Sequence, residues 1–70
     1  MSSKNALQKG VQSVEIAARV LSALARLGGE GSLKWISAET ELSPSRLHSY
    51  LVSLRRSGLV EQNGDTGLYR

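Results

Sequence analysis

Ser45 and His48 stand three residues apart, a spacing that on a helix brings a hydroxyl and an imidazole onto one face. A hydroxyl beside an imidazole is the beginning of a nucleophilic site. The remainder of such a site is missing: nothing nearby would orient the imidazole or form an oxyanion hole, and a chain of 70 residues has little room for a pocket of convergent groups. The stretch Asn63-Gly64-Asp65-Thr66-Gly67 offers the oxygens of a cation loop, yet it lacks the later bidentate Glu that a calcium loop uses and reads as a turn. The chain has no cysteine, which excludes thiolate zinc sites and disulfides. Neither catalysis nor a metal or cofactor is expected.

The same stretch is better suited to a polyanion. Arg46, Arg55 and Arg56 lie between residues 44 and 59 with no acid among them, a local charge of +3. Residues 1–27 carry Lys4, Lys9, Arg19 and Arg26 against Glu15, again +3, whereas residues 28–43 sum to −2 and residues 60–70 to −1. The net charge of +3 therefore hides two basic blocks, and a segregated basic element in a small domain is an electrostatic footprint for nucleic acid. A helix opened by a tight turn can bring its free N–H groups to a phosphate and then enter a major groove about as wide as itself. Small residues such as Ser45 and Ser49 permit close approach, Arg46 can take a guanine edge, and His48 can meet a base or a phosphate. Arg55 and Arg56, further along, suit the backbone.

These residues need elements to position them. Residues 1–10 are polar, aperiodic and end in Gly10, as in a flexible arm. From Ser13, a good N-cap, the pattern becomes helical over residues 14–27, with Glu15 near the positive end and Gly28-Gly29 as the stop. Glu15, Arg19, Ser22 and Arg26 form one narrow polar stripe. Val14, Ala17, Ala18, Leu21, Leu24 and Ala25 form one apolar arc, and Ile16, Val20, Ala23 and Leu27 form a second. Together they are wider than a surface helix requires. Either this helix is central to a three-helix core or one arc is covered by a second copy of the chain.

Ser32 is the N-cap of a second helix over residues 33–40, with Leu33, Ile36 and Thr40 on one face and Trp35 projecting roughly opposite. Ser43 caps a third helix with Pro44 at its first position; Leu47, Tyr50, Leu51 and Leu54 face its core side, and Gly58 ends it. Residues 59–62 and 68–70 then read as two short strands around a turn. The fold class is mostly α with a small β-hairpin. Helix, helix, helix, hairpin is the order of a winged helix-turn-helix occupying residues 11–70.

With these elements in order, residues 11–70 resemble the N-terminal DNA-binding domain of the IclR family of bacterial transcriptional regulators. The resemblance is carried by Val11-Gln12-Ser13-Val14-Glu15, Ser32-Leu33, Leu42-Ser43-Pro44-Ser45 with Leu47-His48, Leu54 to Gly58-Leu59-Val60, and Asp65-Thr66-Gly67 before Tyr69-Arg70. It implies sequence-specific binding of double-stranded DNA by a homodimer paired through the first helix, with Ile16, Val20, Ala23 and Leu27 at the dimer interface. It further implies a palindromic operator, the third helix in the major groove and the wing on the backbone or minor groove. On this reading Ser32, Ser43 and Ser45 position phosphates, Arg46, His48 and Ser49 read bases, and Arg56, Asn63 and Thr66 hold the backbone.

Family members continue into a C-terminal domain that binds a small-molecule effector. The expectation is therefore a DNA-binding piece of a longer regulator, with no effector site of its own. No apolar run approaches the roughly 18 residues of a membrane span, so a cytoplasmic location is expected. Five positions depart from the family pattern. Glu41 stands where a turn glycine is usual, Trp35 and Glu39 where Glu and Ala are common, Arg46 replaces a usual Thr, and Ser49 a usual Arg. The operator sequence accordingly does not transfer. An alternative from another class is a winged-helix protein-interaction module without sequence-specific DNA binding, using Trp35 and the second arc of the first helix.

Overall fold

The computed structural model describes residues 8–70, so the N-terminal arm and its Lys4 lie largely outside the described residues. Three helices follow in order: α1 (Gln12–Arg26), α2 (Leu33–Thr40) and α3 (Pro44–Arg56). Helix α1 begins ahead of the expected Ser13 cap. Val11 is the N-cap, with no side-chain cap bond, and its carbonyl accepts from Val14 N–H at 3.1 Å and Glu15 N–H at 3.2 Å. The first turn is exposed, so its remaining N–H groups are open to solvent and a serine at the boundary is not required. The other end closes as expected, with Gly28 N–H to Ala25 O at 3.1 Å and Gly29 N–H to Leu24 O at 2.7 Å. Those two bonds make a Schellman motif.

The core is aliphatic. Val20, Ile36, Leu47 and Leu51 are its fully buried large side chains, joined by Ile16, Ala23, Leu24, Leu42, Leu54, Val60 and Tyr69. This corrects the assignment of Ile16, Val20 and Ala23 to a dimer interface: they are 5%, 0% and 0% exposed inside the chain's own core. Leu27 is half-buried and packs against the same core. The physical reason is arithmetic of area, because α2 and α3 together offer one apolar surface, and α1 presents its β-branched and leucine-rich arc to it where burial gains most. The arc left outward contains Val14, Ala18 and Ala25, with Leu21 half-buried.

Helix α2 is fastened at its C-terminal end. The Thr40 hydroxyl donates to Ile36 O at 2.8 Å and accepts from Leu42 N–H at 3.4 Å. The Arg19 guanidinium donates to the Thr40 carbonyl, and the Ser37 hydroxyl donates to the Leu42 carbonyl. Arg26 Nε meets Glu39 Oε1 at 2.7 Å. Between α2 and α3 the chain turns through Glu41, whose φ of 62° lies in the left-handed region.

The two-stranded wing is not formed as strands among the described residues. Tyr69 instead makes single antiparallel bridges to Gln62 on one side and to Gly31 on the other. Gly31 and Tyr69 exchange both backbone bonds, at 2.9 and 2.8 Å, and Glu61 and Arg70 do the same, at 2.8 and 2.9 Å. The pairing is a strip one or two residues deep because its two sides come from separate parts of the chain. Gly31 follows directly on the glycine stop of α1 and is itself followed by the Ser32 cap of α2, so the outer side cannot lengthen. Gly31 is also buried, and a Cβ there would meet Leu27 Cδ1 at 3.0 Å and Ile36 Cγ1 at 3.3 Å. Glycine permits the close approach.

Replacing Glu41 with glycine should remove the cost of a left-handed side-chain-bearing residue, which is about 1 kcal/mol. Urea unfolding of Glu41→Gly should show a higher midpoint with an unchanged slope. An unchanged or lowered midpoint would show that the turn carries no such strain.

Candidate nucleic-acid interface

Helix α3 owes its outward face to its inward one. Leu47, Leu51 and Leu54 are buried, and this spacing of four and three residues turns Ser45, Arg46, His48, Ser49, Ser53 and Arg56 to the exposed side. The N-terminus is well made. Ser43 Oγ accepts from Arg46 N–H at 3.3 Å, and Pro44 stands where its missing N–H has no intrahelical use. The C-terminus closes on Gly58, φ 77°, through Gly58 N–H to Arg55 O and Leu59 N–H to Leu54 O, both at 3.0 Å. A residue with a Cβ would resist that conformation.

The expected contact residues fall into two groups. Ser45, Arg46, His48 and Ser49 share the N-terminal half of α3 and are exposed together. Ser49 Oγ lies 3.5 Å from the Ser45 carbonyl, the weak back-bond of a helical serine. Arg56 sits in the last turn of the same helix and is exposed. The others serve the fold as well. Ser32 Oγ accepts from Trp35 N–H at 3.1 Å, so both Ser32 and Ser43 cap helices. Asn63 Oδ1 accepts from Asp65 N–H at 2.8 Å and Thr66 N–H at 3.0 Å, and Thr66 Oγ1 accepts from Leu68 N–H at 3.2 Å. What Asn63 and Thr66 retain for a phosphate is a donor each, the Nδ2 amide and the hydroxyl hydrogen.

Two features of this face escape sequence reasoning. A shallow depression of about 380 Å³ is lined by Ser13, Arg46, Ser49, Tyr50 and Ser53, so the start of α1 lies beside the middle of α3. A larger open cleft of about 530 Å³ separates α3 from the residues that follow it, lined by Val52, Arg55, Arg56, Val60, Glu61 and Gln62. Helical periodicity marks which residues face outward; it does not say which other segment comes alongside.

Charge is partitioned by the fold. Of the basic residues on α1, Arg19 and Arg26 are both engaged with α2. The second basic block stays on the surface, and Arg46 and Arg56 make no hydrogen bond through their side chains and no ion pair among the described residues. The outcome is a capped helix whose exposed side carries cations and small hydroxyls. Such a surface can approach a polyanionic groove closely and donate to it. Trp35, 55% exposed, is on α2 and outside this face.

A cap and a displayed serine should behave differently. Ser43→Ala should lower stability by about 1 kcal/mol, while Ser45→Ala should stay within about 0.5 kcal/mol of the parent; urea unfolding of both distinguishes them, and equal losses would refute the division.

A family model described as the IclR helix-turn-helix domain matches residues 13–64. No curated protein and no solved structure matches the chain.

Proposed function

The chain belongs to the IclR helix-turn-helix family, a family of DNA-binding transcription regulators, and on that footing we propose that it binds double-stranded DNA sequence-specifically as a homodimer. The observation that carries this reading is the exposed side of α3, where Arg46, His48, Ser45 and Ser49 stand together in an acid-free helix. Arg46, His48 and Ser49 are the base-reading residues, Ser45 and the capping Ser32 and Ser43 approach phosphates, and Arg56 with the donors of Asn63 and Thr66 meets the backbone. The third helix enters the major groove and the turn at residues 63–67 lies over the backbone or minor groove.

The second copy is placed on the outward arc of α1. Val14, Ala18, Leu21 and Ala25 recur at steps of four, three and four, the seam of a helix pair; Val14 is 65% exposed, and the N-cap Val11 just ahead of it 61%. Small residues at Ala18 and Ala25 let two such helices come close. This seam takes the role that the family resemblance assigns to Ile16, Val20, Ala23 and Leu27. Two copies related by a twofold axis present two α3 helices, which fits a palindromic operator with half-sites about one turn of DNA apart. The small-molecule response of such regulators belongs to a further domain, and the cytoplasm is where DNA and regulator would meet.

Duplex affinity should fall with salt at a log-log slope of about −0.9 for each phosphate neutralised. A flat salt response would remove the DNA reading and favour a protein-interaction module. Arg46→Ala should lose about 1–3 kcal/mol on a selected site and relax one position of it; an equal loss on random duplex would make Arg46 a backbone contact. Ala18→Asp should turn a dimer into a folded monomer in sedimentation, and a variant that still dimerises would rule out the α1 seam.

A further inference from the structure

Arg55 and Arg56 are adjacent in sequence, and the fold uses them differently. Arg55 Nη1 donates to Gln62 Oε1 at 3.1 Å, and Gln62 Nε2 donates to the Gly67 carbonyl at 3.1 Å. The two bonds form a relay from the last turn of α3, across the cleft, to the far side of the turn at residues 63–67. Arg56 lines the same cleft and makes neither bond.

The chemistry of the relay is directional. Arginine only donates, so the Gln62 amide must turn its oxygen to Arg55, which leaves its NH₂ facing the Gly67 carbonyl. Glutamate at residue 62 would keep the arginine and set an anion against that carbonyl, and lysine would lose the acceptor. Glutamine alone of the three satisfies both ends. Gly67 is also the residue that closes the turn, with its N–H on Asn63 O at 2.8 Å and a φ of 75°. The relay therefore grips the turn at its closing residue. The backbone pairs beneath, Glu61 with Arg70 and Asn63 N–H to Leu68 O, tie the two sides of the turn to each other; among the described residues the side-chain hydrogen bond that reaches from α3 to this segment is that of Arg55.

We propose that Arg55 is a positioning residue, which sets the turn at residues 63–67 against α3 through Gln62 and Gly67, leaving Arg56 as the cation that meets the DNA backbone. The DNA half of this assignment rests on the function proposed above; the positioning half concerns the protein alone.

The experiment has a free-protein arm and a DNA arm. In the free protein, amide exchange at Asn63 and Gly67 should quicken about fivefold, the worth of one hydrogen bond, in both Arg55→Ala and Gln62→Ala, and remain unchanged in Arg56→Ala. Arg55→Lys, which can still donate to Gln62, should recover part of the protection. With a mixed-sequence duplex, Arg56→Ala should flatten the salt slope by about 0.9, whereas Gln62→Ala should weaken binding without removing a charge. Arg55→Ala added to Gln62→Ala should cost no further affinity. Unchanged exchange in the Arg55 and Gln62 variants would overturn the positioning role, as would a full additional loss from Arg55→Ala in the Gln62→Ala background. If the parent chain binds no duplex while the exchange results hold, the DNA reading fails and the relay stands.

Discussion

The direction in which α3 leaves α2 depends on one left-handed residue, Glu41, and on what holds the chain either side of it. Ahead of it the Thr40 carbonyl is taken by Arg19 from α1, and the Thr40 hydroxyl bridges Ile36 to Leu42. Behind it Leu42 is buried and its carbonyl accepts from Ser37. The backbone at residue 41 is thus fixed by neighbours that cannot move without exposing Leu42 or leaving buried polar groups unpaired, a loss larger than the strain of the residue itself. From that constraint follow the placement of the Ser43 cap, the inward turn of Leu47, Leu51 and Leu54, and the outward set that begins at Ser45.

The same tie has an electrostatic consequence. A basic domain that exposed all of its arginines equally would attract a polyanion without orientation. Here Arg19 and Arg26 are drawn to α2, one by a helix-terminal carbonyl and the other by Glu39, while α3 contains no acid to answer Arg46 or Arg56. The arginines left without a side-chain partner among the described residues, Arg46 and Arg56, lie on one helix, which gives an approaching duplex a preferred side. Structure and charge are not separate designs in this chain: the arginines that hold the turn in place are also the ones removed from competition with the binding face.

Much of this arrangement is legible from residue order. Ser32 and Ser43 announce two helix starts and Gly28-Gly29 and Gly58 two ends, because capping chemistry is local and each residue type acts on its own neighbours. The faces of α1 are different. Both arcs are apolar, and only the shape of α2 and α3 decides that Val20 and Ala23 go inward while Val14 and Ala18 remain outside. The hairpin misleads for a related reason. Its Asn, Gly and Asp residues carry the turn chemistry of a hairpin, but strand length is set by the partner, and here Tyr69 pairs with a glycine wedged between two helices.

Gln62 marks the limit of sequence reading most clearly. As a residue type it carries no charge, no special backbone freedom and no motif, and in the sequence it is one more polar residue before a turn. Its meaning comes from lying between an arginine seven residues earlier and a carbonyl five residues later, with a donor and an acceptor to match them in order. A small domain with a thin core cannot hold a projecting turn by burial, since the turn has almost no apolar area to bury. Directional polar contacts are what remain, and those work only where each donor finds an acceptor. The glutamine amide, able to do both at once, is therefore the side chain that such a turn requires.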